Sequence, residues 1–313
     1  MRALLLAALL AAAPACRSVM THAPRASVDV PAGVVEAIAA ATTRSDGEVF
    51  VAYRDLGDGA SWDVRGDTVV HAASTMKVPV MVALHRRAFE GRFDLEAPMN
   101  VHNGFSSIVD GSPYTLDPAD DSDAGLYDRV GESLPASELC RRMIVRSSNL
   151  ATNLLVDELG ADQIQRTIEG LGVRHMRVLR GVEDGKAYRA GLSNTATASD
   201  LRELLTAIAE GVAVSPEHSD AMLETLAAQE FSELIPAGLP EGIRVAHKTG
   251  SITGILHDAA IVMPEGVPPY VLVILTRDFA DSKDAADAIR EVTRRVHASR
   301  EQEAAAGAPR STQ

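Results

Sequence analysis

Residues 74–84 of this chain read Ser-Thr-Met-Lys-Val-Pro-Val-Met-Val-Ala-Leu. The apolar run predicts a buried helix that begins near Ser74, with Pro79 in the first turns, where its missing N–H is tolerated. A spacing of three residues places Ser74 and Lys77 on one helical face. A serine hydroxyl becomes a nucleophile when a neighbouring base takes its proton, and a buried lysine, unlike an arginine, can be that base. The stretch therefore predicts a nucleophile and its base at the start of a helix.

Two more short motifs follow along the chain: Ser147-Ser-Asn149 and, near the C-terminal end, Lys248-Thr-Gly-Ser251. Each motif alone is common, but from this composition the three in this order arise by chance roughly once in a few thousand sequences. The chain has four lysines against 26 arginines, and two of those lysines lie in the motifs. Codon bias explains the ratio, but it does not explain where the remaining lysines stand.

The hydrophobic pattern indicates strands at both ends of the chain and helices in the middle. A turn at 56–59 predicts that the first two strands form a hairpin. The predicted strands are 48–53, 60–64, 243–248, 256–263 and 270–276, helices dominate from about 74 to 228, and a last helix covers 282–298.

This order of elements predicts an α/β (α+β) fold of two lobes. An antiparallel sheet flanked by helices is built from 35–73 and 229–298, and a central all-helical lobe from 74–228. A cleft between two such lobes is the usual place for a ligand. Thr197-Ala-Ser-Asp200 predicts a capping box, and Ser215-Pro216 predicts a helix start with serine as the N-cap.

The N-terminal end reads as an export signal. Residues 1–15 combine an arginine, a short apolar run and a small-residue cleavage pattern, so we expect a signal peptide and an exported protein, periplasmic or secreted. Cys16 follows directly, and an outer-membrane lipid anchor through Cys16 is the alternative to plain cleavage. We expect a linker at 16–34 and a disordered tail at 299–313.

Composition excludes several classes of protein. The chain has 30 Lys+Arg against 43 Asp+Glu, a net charge of −13, and 4% aromatic residues, which argues against nucleic-acid binding. Two cysteines cannot build a disulfide scaffold. The histidines form no metal-binding spacing, so we expect neither a metal nor another cofactor. His71 and His247 flank two motifs and are candidates for supporting roles. We expect a monomer.

Together the three motifs resemble those of class A serine β-lactamases and the related serine hydrolases of the penicillin-binding protein superfamily. The resemblance extends over roughly residues 35–298. It implies a β-lactamase/transpeptidase-like fold and a small-molecule β-lactam or related acyl donor as the partner.

The resemblance also implies a role for each motif. Ser74 would be acylated, Lys77 would act as its base or relay, and Ser147 would pass a proton to the leaving nitrogen. Backbone N–H groups near Ser74 and Ser251 would form the oxyanion hole. The substrate-binding side chains would be Asn149, Lys248, Thr249 and Ser251.

Three positions depart from the family pattern. Ser148 replaces the usual aspartate, which is mainly structural. Glu183 stands about where the deacylating glutamate belongs, but Ala187 replaces the asparagine four residues on, so Glu183 is either the base or a surface carboxylate. His257 stands where many relatives have a carboxylate-binding arginine, and it is either a substituting cation or a buried core histidine.

Two further features concern the middle of the chain. Cys140 fits the family's cysteine, but Leu84 stands where its partner would be, so the resemblance implies no disulfide and a buried, inert thiol. The segment 103–127 is additional chain with an acidic run at 117–123. That run lacks the spacing of a Ca²⁺ loop, and a solvated loop is the preferred interpretation.

The sequence therefore predicts an exported serine β-lactamase that opens the β-lactam ring through an acyl-serine intermediate. A carboxylic-ester hydrolase or D-Ala-D-Ala peptidase on the same fold is the alternative. A penicillin-binding sensor that is acylated without turnover is a weaker third hypothesis.

Overall fold

The computed structural model describes residues 27–307 of the chain. The predicted signal peptide at 1–15, Cys16 and most of the predicted linker lie outside the described residues, as do the last six. Within the described part, no helix combines the length and the apolar character needed to cross a membrane.

Helices and short strands alternate through the middle of the chain, and long strands stand at its two ends. The strands are β1 (Glu48–Asp55), β2 (Ser61–Val64), β3 (Val70–His71), β4 (Pro98–Asn100), β5 (Phe105–Ser106), β6 (Pro113–Tyr114), β7 (Ser133–Pro135), β8 (Thr195–Ala196), β9 (Arg244–Ile252), β10 (Ile255–Met263) and β11 (Tyr270–Arg277). The helices are α1 (Ala32–Ser45), α2 (Lys77–Phe89), α3 (Ala136–Val145), α4 (Asn149–Leu159), α5 (Ala161–Glu169), α6 (Gly185–Arg189), α7 (Ala198–Ala209), α8 (Pro216–Ala227) and α9 (Ser282–Gly307).

The main sheet has five antiparallel strands in the order β2-β1-β11-β10-β9. Strand β1, from the N-terminal end, pairs along its whole length with β11, from the C-terminal end. The predicted α/β fold, with one sheet assembled from both ends of the chain, is confirmed. Strand β9, which carries Lys248 and Ser251, lies at the edge of this sheet, where it can face the helical lobe.

Both faces of the sheet are covered, which explains why β1 is buried along nearly all of its length. On one face, Val49 and Val51 belong to a core cluster that includes residues of α1 and α9. On the other face, Phe50 and Ala52 join the larger core of the helical lobe. A strand buried on two faces needs a continuous apolar run instead of strict alternation.

Three strand pairs within the central lobe are additions that the hydrophobic pattern does not predict. They are two or three residues long: β3 with β8, β4 with β7, and β5 with β6. The β5–β6 pair lies inside the additional segment 103–127. Elements this short give too few residues for a recognisable alternation.

The predicted boundaries are wrong at both ends of the sheet lobe. Helix α1 begins at Ala32, inside the predicted linker 16–34, and its Val34 is fully buried. Helix α9 continues to Gly307, through much of the tail predicted to be disordered at 299–313. Arg300 anchors this last part, because it donates to Asp55 at 2.7 Å and its guanidinium lies 4.7 Å from the centre of the Tyr270 ring.

Cys140 is a buried free thiol in α3. Burial raises its pKa to about 12, so the reactive thiolate is suppressed, as expected of an inert core cysteine. Leu84 of α2 is fully buried in the same hydrophobic core. Cys140 and Leu84 thus both lie among apolar side chains of one core, and no disulfide joins these two positions.

Both predicted helix starts are confirmed, but in one of them the hydrogen bonds differ from the predicted capping box. Ser215 caps α8 by accepting the His218 N–H. Thr197 caps α7 by accepting the Asp200 N–H at 3.1 Å. Asp200 does not return that bond as in a capping box: its carboxylate instead accepts the N–H groups of three successive residues, 174–176.

We expect Asp200→Ala to lower the free energy of unfolding by about 3 kcal/mol, because three backbone N–H groups lose a charged acceptor. Urea unfolding followed by circular dichroism measures this change. The exposed Asp220→Ala is the matched control, with an expected change within about 0.5 kcal/mol. Equal stability of the two variants would show that the Asp200 contacts contribute little.

Candidate active site

Ser74 lies in a 3₁₀ turn, Ala73–Met76, that leads directly into α2. The preceding Ala73 has a φ of 45°, a conformation that side chains other than glycine rarely adopt. The His71 Nδ1 atom accepts the Ala73 N–H at 3.0 Å and holds this turn. Burial, and then the Arg180 charge, lower the pKa of His71, which keeps the ring in the neutral form that can accept.

Edge strand β9 passes very close to this turn. A Cβ atom at Gly250 would lie 3.1 Å from both the Ala73 Cβ and the Ser74 nitrogen. A larger residue would therefore push β9 away from Ser74. This close approach brings the Lys248–Ser251 motif beside the serine, as the predicted site requires.

Lys77, the first residue of α2, is completely buried, and its amine points at the second motif. Its Nζ donates to the Ser147 carbonyl at 2.6 Å, to the Ser147 Oγ at 3.1 Å and to the Asn149 Oδ1 at 2.9 Å. Burial lowers the pKa of Lys77 to about 7, against smaller opposing effects of Asp121 and Glu183. A lysine in this state can accept a proton near neutral pH.

Lys248 lies fully buried on β9, and its Nζ donates to the Thr249 carbonyl at 3.1 Å. Its pKa is well below the ordinary value, first because of burial and second because of the Lys77 charge. The neighbouring His247 contacts the buried Asp258 carboxylate at 2.9 Å on β10. Two buried lysines thus lie at the base of the site, and the charge of Lys77 disfavours protonation of Lys248.

Ser147 and Asn149 stand at the junction of α3 and α4. Ser147 has a φ of 58°, and the next residue, Ser148, is the N-cap of α4, accepting the Ala151 N–H at 3.3 Å. Ser148 thus supports this junction, as the family's aspartate would, although with a shorter side chain. The strained turn directs Ser147 Oγ and Asn149 Oδ1 to the same amine, that of Lys77.

Glu183 stands on the loop that faces Ser74 across the cavity. It has a φ of 60°, and its Oε1 lies 3.5 Å from the Asn149 Nδ2. Asn153 of α4 supports the loop, since its side chain accepts the Val182 N–H and donates to the Val182 carbonyl. The loop is therefore pinned directly beside Glu183, while the exposed carboxylate itself points to the cavity.

Asp184 fastens the other side of this loop to the additional segment. Its carboxylate accepts from the Ser107 Oγ, the Ile108 N–H and the Ala187 N–H, each at 3.0 Å. Burial alone would raise the pKa of Asp184, but these bonds outweigh it and the pKa is lowered. Ala187, which replaces the expected asparagine, is fully buried. With both oxygens bonded, Asp184 is a support of the loop.

The interpretation of His257 as a substituting cation is wrong. His257 lies on β10, between two other strands, and its side chain is fully buried. Its Nδ1 atom accepts the Thr276 N–H at 3.1 Å, and its Nε2–H donates to the His71 backbone carbonyl at 2.9 Å. Burial lowers the pKa of His257 to about 4, so the ring is neutral at physiological pH. His257 is a core residue that supports His71.

The acidic run at 117–123 is solvated only in part: residues 117–120 and Ser122 are exposed, as expected of a solvated loop. Asp121 and Asp123 are buried, 7% and 4% exposed. Asp123 forms ion pairs with Arg142 at 2.9 Å and Arg146 at 3.4 Å, and Asp121 accepts backbone N–H groups at the start of α4. No group of three metal-ligating side chains occurs among residues 27–307. The run instead holds the α3–α4 junction.

These elements enclose a cavity of about 300 Å³ between the lobes. Four of the nine predicted site residues line it: Ser74, Asn149, Glu183 and Ser251. Lys77 and Lys248 are buried behind them. Three further residues line the cavity: Arg180, Tyr188 and Asn194. The hydrophobic pattern does not predict them, because they reach the cavity only after the loop has folded.

Comparison with solved structures places this fold among class A β-lactamases and penicillin-binding proteins. An ancestral class A β-lactamase is 26% identical with a TM-score of 0.74, covering 85% of this chain and 99% of that one. PBP-A is 26% identical with a TM-score of 0.75, covering 90% and 99%. A PBP-A mutant, 27% identical with a TM-score of 0.72, was solved as an acyl-enzyme complex with penicillin G.

Sequence comparison gives the family. A β-lactamase of Rhodobacter capsulatus is 26% identical over 265 residues, which cover 83% of this chain and 86% of the relative. The model of the β-lactamase enzyme family matches residues 33–299. The chain therefore belongs to the β-lactamase enzyme family, and the predicted resemblance to this family is confirmed.

We expect Asp184→Ala to loosen the Glu183 loop, because the loop loses its bonds to Ser107 and Ile108. Hydrogen exchange should become at least about ten-fold faster at the Val182 and Leu192 amides, which do not themselves bond to Asp184. The exposed Asp128→Ala is the control. Unchanged exchange at these two amides would show that the loop does not depend on Asp184.

Proposed function

We propose that this protein is a serine β-lactamase that opens the β-lactam ring through an acyl-Ser74 intermediate. The observation that carries the proposal is the Lys77 amine. It is buried, it has a pKa of about 7, and it lies three residues after a serine that lines the cavity. Its hydrogen bond to Ser147 extends the same arrangement to a second hydroxyl.

In the acylation step, the Ser74 Oγ attacks the lactam carbonyl carbon while its proton passes to the neutral Lys77 amine. The Ser74 and Ser251 backbone N–H groups receive the developing oxyanion. When the ring C–N bond breaks, Ser147 gives its proton to the leaving nitrogen and takes one from Lys77 across their 3.1 Å contact. The lysine returns to its neutral form, and the serine carries the acyl group.

Substrate binding would use the third motif. Lys248, Thr249 and Ser251 would receive the carboxylate of the β-lactam, and Asn149 would receive its acylamide side chain. A bound carboxylate favours the ammonium form of a buried lysine. Bound substrate would therefore raise the pKa of Lys248, which is low in the empty site, so that this amine takes up a proton from solvent; the new cation would keep Lys77 neutral.

Deacylation is assigned to Glu183, which faces Ser74 across the cavity. Its exposed carboxylate can activate a water from solvent, and the 3.5 Å contact with Asn149 orients it. The buried Ala187 supplies no polar side chain to hold that water, so we expect deacylation to be the slower step.

That slow step also favours a second candidate function, a D-Ala-D-Ala peptidase or carboxylic-ester hydrolase on the same fold. The likeness to PBP-A, whose mutant forms an acyl-enzyme with penicillin G, supports this alternative. The two functions share acylation of Ser74, and they differ in how fast a penicillin adduct is released.

Intact-protein mass spectrometry with benzylpenicillin, alongside ring absorbance, tests the proposal. We expect rapid ring opening by the native protein, and a persistent adduct of one penicillin in Glu183→Gln because its water lacks a base. Ser74→Ala is the control and should show neither adduct nor turnover.

Three outcomes would contradict this proposal. A persistent adduct on the native protein would indicate the peptidase, or a penicillin-binding sensor that is acylated without turnover. Undiminished turnover in Glu183→Gln would place the deacylating base elsewhere. No adduct and no turnover in the native protein would overturn the β-lactamase proposal and direct the search to ester substrates.

The pH dependence follows from Lys77. Because the amine must be neutral to accept the Ser74 proton, kcat/KM should fall below pH 7, approaching about ten-fold for each pH unit. Initial rates with benzylpenicillin from about pH 5 to about pH 9 measure this acid limb of the pH profile of kcat/KM. A kcat/KM that stays constant across this range would exclude Lys77 as the base.

A further inference from the structure

We propose that Asp121, which the additional segment 103–127 brings to the site, is a positioning residue for Ser147 and Asn149 and supplies a negative charge that favours the ammonium form of Lys77. The inference rests on the proposed function for its kinetic consequence. Its structural part, the contact between the segment and the start of α4, stands on geometry alone.

The first observation is the way in which α4 begins. The first N–H groups of a helix have no partner within the helix and need one from outside. The Asp121 Oδ2 accepts the Asn149 N–H and the Leu150 N–H, both at 2.9 Å. Ser148 receives the next two N–H groups, through its side chain and its carbonyl. The helix start is thus complete only when the segment is docked.

The second observation is how firmly Asp121 itself is held. The Tyr127 hydroxyl donates to Oδ2 and the Asp123 N–H donates to Oδ1, each at 3.0 Å. Burial, and then the Asp121 charge, raise the pKa of Tyr127, which keeps the phenol a donor. The arginines of this region, Arg142 and Arg146, bind Asp123. The charge of Asp121 is therefore buried and directed to the helix start and the site.

The third observation links this carboxylate to the catalytic amine. Lys77 Nζ bonds to the Asn149 side chain, and the Asn149 backbone bonds to Asp121. Among the charges that act on Lys77, Asp121 is the largest that favours the ammonium form, and Glu183 also favours it. The other buried amine of the site, Lys248, has a lowered pKa to which the Lys77 charge contributes. Removing the Asp121 charge should therefore make Lys77 lose its proton at lower pH.

The chain is well suited to a direct test, because it contains only four lysines. Labelling the lysine Cε atoms with ¹³C gives a few NMR signals whose shifts follow protonation of each amine. Lys77→Arg assigns the Lys77 signal. In Asp121→Asn, we expect the Lys77 titration midpoint to move by about 0.5 pH unit or more to lower pH. The acid limb of kcat/KM for benzylpenicillin should move by a similar amount.

Two further variants test whether a shift of the Lys77 midpoint is specific to the Asp121 charge. Asp120→Asn removes the same charge from an exposed neighbour and should leave the Lys77 midpoint unchanged. Asp121→Ala removes both the charge and the helix contact. It should move the midpoint as Asp121→Asn does and also raise hydrogen exchange at the Asn149 and Leu150 amides about ten-fold or more.

The outcomes distinguish the inference from the proposed function. An unchanged Lys77 midpoint in a folded Asp121→Asn overturns the charge role, and unchanged exchange in Asp121→Ala overturns the positioning role. If Asp121→Ala does not fold, the near-isosteric Asp121→Asn still decides the first point. Absence of penicillin turnover in the native protein would contradict the proposed function, while the NMR titration would still test Asp121.

Discussion

The buried Lys77 amine is the constraint on which the rest of this site depends. A desolvated amine is stable only where several acceptors converge on it, and here they come from a single short segment, Ser147 and Asn149. That segment must therefore be held against α2 with little freedom. The strained turn at Ser147 and the Ser148 cap are local solutions to this requirement. The contacts of Asp121 with α4 are a further solution, supplied from a more distant part of the chain.

The additional segment 103–127 extends this support to both sides of the cavity. Its Asp121 holds the start of α4, while its Ser107 and Ile108 hold the Glu183 loop through Asp184. The family motif that residues 147–149 resemble has an aspartate at its middle position, where this chain has Ser148. A shorter side chain in the motif is thus accompanied by a carboxylate supplied from elsewhere in the chain. The segment connects the two halves of the site, and its contacts are part of the site's framework.

Sequence reasoning located the site where chemistry restricts the residue type. Ser74, Lys77 and Lys248 were identified because nucleophile and base impose residue types at fixed spacing, and the sheet was predicted because its strands are long and apolar. Asp121 was missed because a carboxylate in an acidic run looks the same whether it is solvated or bonded to a helix 28 residues away. His257 was misassigned because alternation does not tell which face of a strand is covered, and β10 is covered on both.

The position of the two buried lysines explains why an arginine-rich chain retains them. An arginine stays protonated in any protein environment, so at Lys77 it could not take a proton from Ser74. At Lys248, a permanent cation would be unfavourable in the empty site, where burial and the charge of Lys77 both lower the pKa of this residue. A lysine can be neutral before substrate arrives and charged afterwards. The same property that makes lysine costly to bury as a cation would let the empty site remain stable and, under the proposed function, let the occupied site bind a carboxylate.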